Sequence, residues 1–153
     1  MAKPDFGFSA AVVASSAALA LLAACDDPLS PRDVAGTYVL RSVRGTPVPA
    51  VFQEAEQSRL HVLADTLRLH ADGTGMETWL LQSTGVHAWG PDRRQRSLRF
   101  EIRRGRIEAT YLCGPAENCA HVVGLRGQLS GSELRADPHL YGAGPVVFER
   151  VGS

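Results

Sequence analysis

The chain has 153 residues, and its 16 basic and 16 acidic side chains leave a formal net charge of zero. A neutral chain without a sustained basic stripe lacks the electrostatic footprint of a nucleic-acid binder. Once a targeting segment is set aside, the length suits one small domain and is tight for two.

Lys3 is the only lysine, and no charge follows from Phe6 to Ala24. This stretch is long enough to span a bilayer, but Ala and Ser dominate it rather than Leu and Ile. A positive start, an apolar middle and small residues before a polar break describe an export signal. Leu22-Ala23-Ala24-Cys25 resembles the lipobox of bacterial lipoproteins. That resemblance implies cleavage before Cys25, a diacylglycerol on its thiol and an acyl chain on the freed amine. At about 0.8 kcal/mol per buried methylene, two or three chains hold a protein on a membrane. The expected organisation is a signal peptide over 1–24, a lipidated tether over 25–33 and a domain over 34–153. The expected place is the bacterial cell envelope, with the domain in the periplasm or at the cell surface. The membrane is then a partner through the lipid.

Asp26 to Pro31 reads as a polar spacer, and Ser30-Pro31-Arg32-Asp33 as the cap of one helical turn with Pro31 at its favoured first position. Phe52 to Arg59, "FQEAEQSR", is the only later stretch of helix-forming composition. Strand patterns fill the rest. In "GTYVLRSVRG", Tyr38, Leu40 and Ser42 alternate with Val39, Arg41 and Val43. In "SRLHVLADTLRLHADG", Leu60 and Val62 have one parity and Leu67 and Leu69 the other, which requires a bulge near Ala64-Asp65. Asp72-Gly73 then turns the chain into a returning strand from Met76 to Gln82. "SLRFEIRR" points Leu98, Phe100 and Ile102 inward, and "RIEATYLC" does the same with Ile107, Ala109 and Tyr111. "AHVVGLRGQLSG", "SELRAD" and "PVVFERV" complete the series. About eight strands joined by short turns predict an all-β, antiparallel up-and-down barrel, because closure removes exposed edges.

With Cys25 assigned to lipid, Cys113 and Cys119 remain in "CGPAENC". Outside the cytoplasm a disulfide is the expected state of such a pair, and Gly114-Pro115 supplies the reversal. A metal site with Cys113, Cys119 and His121 is the alternative, but it lacks a fourth ligand and a CxxC knuckle.

Three stretches resemble the small bacterial lipocalin-like lipoproteins: "VAGTYVLRSVRGTPVP", "DTLRLHADGTG" and "VVFERV". Lipocalins carry Gly-x-Trp on the first strand, with the Trp covered by an Arg from the last strand. Here Gly36-Thr37-Tyr38 has Tyr in place of Trp, and Arg150 is placed to supply the Arg. The resemblance therefore implies that Gly36, Tyr38 and Arg150 close the barrel base through a cation–π contact.

No Gly-x-Ser-x-Gly elbow, Walker loop or His-Glu-x-x-His motif is present, so no catalytic residue, metal ligand or cofactor is assigned. The histidines, at 61, 70, 87, 121 and 139, show no close ligand spacing. Seven arginines lie between Arg93 and Arg106; one reading is contact with anionic lipid headgroups or a phosphate-bearing ligand, and the favoured one is that strand parity turns most of them toward water beside Glu101 and Glu108. The functional expectation is a non-enzymatic barrel that binds a small apolar or amphipathic ligand. Phe52, Trp79, Phe100 and Tyr111 are its candidate lining, and the segment Pro47 to Phe52 its lid. The alternative is a barrel filled by its own side chains that meets an envelope protein, as barrel-type protease inhibitors do. Thiol labelling of the exported protein checks the cysteine reading. Cys113 and Cys119 are expected to resist labelling until a reductant is added, and two reactive thiols beforehand would contradict the pairing.

Overall fold

A computed structural model describes residues 29–113, 123–138 and 144–152. Among the described residues the apolar–polar alternation becomes ten strands, preceded by one short helix, α1 (Pro31–Val34). These are β1 (Gly36–Val43), β2 (Thr46–Pro47), β3 (Ala50–Ala55), β4 (Ser58–Leu69) and β5 (Thr74–Gly85). After them come β6 (Trp89–Arg103), β7 (Arg106–Tyr111), β8 (Val123–Ser130), β9 (Glu133–Pro138) and β10 (Val146–Val151). From β4 to β10 each strand pairs with the next, β10 pairs with β1, and β1 pairs back to β4. All these pairings are antiparallel. The result is a closed meander barrel of eight strands, with β2 and β3 as a detour between β1 and β4.

The long β4 serves two neighbours. Its first half, from Ser58 to Val62, pairs with β3, and its second half, from Thr66 to Leu69, closes the barrel against β1. The parity conflict in its sequence is resolved by a register shift between Val62 and Ala64, after which Asp65, Leu67 and Leu69 all face inward and are buried. A similar shift in β1 between Leu40 and Ser42 moves Val43 onto the buried face, where simple alternation places Ser42.

Two local expectations are corrected. The segment Phe52 to Arg59 is not helical: it ends β3, turns at Glu56-Gln57 and begins β4. Buried Ala50 and Phe52 alternate with exposed Val51 and Gln53, and pairing to β4 outweighs the helix propensity of Glu, Ala and Gln. The segment Pro47 to Phe52 is not a loop throughout: Pro47 ends β2, Val48 and Pro49 bend the chain, and Ala50 to Phe52 begin β3, with Phe52 packed into the core.

One end of the barrel, the base, is sealed by α1 and the end of β10. Asp33 caps α1 by accepting hydrogen bonds from the Ser30 backbone N–H (2.7 Å) and hydroxyl (2.6 Å). These bonds hold the Asp33 carboxyl below its ordinary range. Fully buried Val34 accepts a 2.7 Å hydrogen bond from the Tyr38 hydroxyl at its carbonyl. Arg150 then ties the parts together. Its Nε donates to the Tyr38 oxygen at 3.1 Å, and its Nη2 donates to the carbonyls of Asp33 (2.7 Å) and Ala35 (3.1 Å). The guanidinium carbon stands 5.3 Å from the Tyr38 ring centroid, within cation–π range. A Cβ at Gly36 would lie 3.0 Å from Arg150 Nε, so glycine keeps this approach open.

Because Tyr38 and Arg150 share partners, their substitutions are expected not to add. Tyr38→Ala should cost about 3 kcal/mol or more through lost packing. Arg150→Ala should cost about 1–3 kcal/mol by leaving the carbonyls and phenol poorly paired. Chemical denaturation of both single variants and the double should give a coupling of about 0.5–3 kcal/mol, and strict additivity would contradict the contact.

Candidate functional site

Among the described residues the barrel lining is apolar except for one patch of its wall. Strand β5 turns Glu77, Trp79, Leu81 and Ser83 inward, and β4, after its register shift, turns Asp65 inward beside them. Asp65 and Glu77 are both fully buried. Trp79 Nε1–H donates to Glu77 Oε1 at 3.2 Å, and the Tyr111 hydroxyl, from the end of β7, donates to Glu77 Oε2. The Asp65 side chain also hydrogen-bonds Glu77. On β6, half-buried Arg96 occupies the register position directly opposite Glu77.

Removal from water dominates the electrostatics here. Burial pushes the Glu77 carboxyl above its ordinary value, and the hydrogen bonds from Asp65, Tyr111 and Trp79 offset only part of that rise. Two carboxyl groups in one hydrogen bond share one proton, which belongs to the Asp65–Glu77 pair and is favoured by burial. Burial also drives the Tyr111 phenol far up, reinforced by the adjacent Glu77 charge, so Tyr111 remains a neutral donor. The patch is therefore an acid pair that shares a proton, with the phenol O–H and the indole N–H both donating to Glu77 in an otherwise apolar wall.

The structure brings some of the candidate lining residues together and keeps others apart. Phe52, Trp79, Phe100 and Tyr111 all belong to the buried core. Trp79 and Tyr111 pack with ring centroids 5.7 Å apart and tilted by 59°. Phe52 sits on β3, while Phe100 lies toward the base, where its N–H donates to Gly73 O at 2.8 Å. Gly36, Tyr38 and Arg150 meet at the base, as described above. Cys113 follows β7 and is exposed, while Cys25, Cys119, His121 and the signal segment lie outside the described residues.

Sequence reasoning found no polar cluster, yet Asp65 and Glu77 form one. Parity carried the signal: Asp65 shares its face with Leu67 and Leu69, and Glu77 shares its face with Trp79 and Leu81. A search of protein-family models, of curated proteins and of solved structures returned no match to the chain. The eight-strand antiparallel barrel itself is compatible with a lipocalin-like fold.

The buried acid gives a definite pH dependence. Glu77 binds its proton more tightly in the folded chain than in the unfolded one. The stability it contributes is therefore complete below its ordinary value near 4.5 and declines as pH rises through the raised folded value. Denaturant midpoints measured from acid to neutral pH should fall for the parent and flatten for Glu77→Gln, which keeps hydrogen-bonding capacity without titrating. Equal slopes for the two proteins would contradict the assignment.

Proposed function

We propose that the chain is a lipid-anchored protein of the bacterial cell envelope whose barrel binds a small amphipathic molecule without transforming it. The observation that carries the binding role is the buried acid pair with Tyr111 and Trp79 in an otherwise apolar lining. Binding sites for small molecules combine mostly apolar walls with a few placed polar groups. The polar end of the ligand would meet Glu77 and Tyr111, and its apolar part would meet the aromatic residues.

The anchor rests on the uncharged stretch from Phe6 to Ala24 and on Cys25 after small residues. No helix among the described residues is long and apolar enough to cross a membrane. The Cys113–Cys119 pairing belongs to the same proposal, since export places both thiols where oxidation persists. The second reading is a filled barrel that acts through its surface on another protein. It is favoured by the complete burial of Tyr38, Leu98, Leu134 and Phe148, which leaves no room around them.

Native mass spectrometry of the mature protein isolated from its own envelope separates these readings. The expected spectrum shows acyl mass on Cys25 and a retained small molecule that Glu77→Leu loses. An acylated chain with nothing bound would favour the filled barrel, and a chain without acyl mass would contradict the anchor.

A further inference from the structure

The turn between β6 and β7 concentrates positive charge at the base of the barrel. Arg103, Arg104 and Arg106 surround Gly105, and all three are exposed. The base is where β1 starts, where β6 ends and where α1 packs against β6. Cys25 precedes α1 by only six residues, a stretch that reaches about 20 Å at full extension. An anchor on Cys25 thus confines this end of the barrel close to the bilayer surface.

We propose that the β6–β7 turn docks on the anionic phospholipid headgroups of the bilayer that holds the anchor, so that the barrel stands with its base on the membrane. The proposal rests on the lipid-anchor reading above. Three features of the turn support it.

The first is charge placement. Glu101 and Glu108 face each other on the outer surface, one step back from the tip, where Glu101 meets Arg103 at 2.8 Å and Glu108 lies 3.8–3.9 Å from Arg126 and Arg103. Beyond them the charge is arginine alone. Arg103 and Arg106 stand directly opposite one another across the strands, a like-charge pairing that a bound anion relieves. Among the described residues, Arg104 and Arg106 have no ion-pair partner.

The second feature is conformation. Arg104 holds φ at 52°, a left-handed geometry that Gly, Asn and Asp occupy more easily. The only other non-glycine residue with positive φ among those described is Arg44, at 51°, and its side chain is used inside the fold: Nη2 donates to the Phe52 carbonyl at 2.5 Å. Arg104 has the same backbone geometry, but its side chain points outward with no internal task.

The third feature is chemical fit. A guanidinium presents a planar fork of donors that matches phosphate oxygens in pairs. The nearby acids at the base, Asp33 and Asp72, are charged but hydrogen-bonded to Ser30 and Thr74, and among the described residues neither forms an ion pair with the turn.

The test uses the mature acylated protein in vesicles of phosphatidylcholine, with or without phosphatidylglycerol, and reads amide exchange over 103–106. Phosphatidylglycerol is expected to slow exchange at the turn by about fivefold for each arginine that reaches the surface. The triple variant Arg103→Gln, Arg104→Gln, Arg106→Gln, with an unchanged melting temperature, is expected to exchange equally in both vesicles. If that variant does not fold, raised salt with the parent protein serves instead, and it should abolish the slowing. Equal exchange of the acylated parent in the two vesicles overturns the docking. Inorganic phosphate that reproduces the slowing on neutral vesicles also overturns it, by identifying a free-phosphate site. The intact mass of the same sample reports the acyl chains, so failure of the anchor reading is seen separately from failure of the docking.

Discussion

A single guanidinium ties together the base of this barrel. An eight-strand meander removes its edges only if its first and last strands meet and its ends are covered, and Arg150 sits where both conditions converge. It belongs to β10, lies over the Tyr38 ring of β1 and donates to two carbonyls flanking the end of α1. Tyr38, fully buried, passes the connection on to Val34. The exposed ion pairs elsewhere, such as Arg41–Glu149 at 2.7 Å, contribute about 0.2–1 kcal/mol each and cannot replace it.

Sealing the base leaves the two regions of the barrel chemically different. Near the seal the lining is aliphatic and aromatic, and Phe148 and Leu134 are fully removed from water. Along the β4–β5–β7 wall the lining carries an acid pair whose proton is held by burial. An isolated buried charge would be costly there, and the hydrogen bonds of Trp79, Tyr111 and Asp65 make the protonated arrangement tolerable.

Much of the fold was legible in the sequence because strand periodicity is a local property. The Asp72-Gly73 turn and the capped turn at Pro31 follow from residue chemistry that needs no tertiary context. The displaced register in β4 was legible for the same reason, since Val62 and Leu67 cannot share a face without it. Composition misled at Phe52 to Arg59, where helix-forming residues are drawn into a hairpin by pairing with β4. The acid pair escaped because Asp65 and Glu77 lie on different strands, and only the register brings them together. The charge at the β6–β7 turn was visible as an arginine run, but its place beside α1 is a product of topology.

β1 pairs with β4 from Gly36–Leu69 to Val39–Thr66, and this seam completes the ring of strands whose base Arg150 covers. Native-state hydrogen exchange measures that seam directly. The amides of Gly36–Val39 and Thr66–Leu69 that bond across it are expected to exchange only through the global unfolding that also exposes the β5–β6 ladder. Exchange of the seam amides at the rate of a free sheet edge, with β5 and β6 still protected, would contradict it.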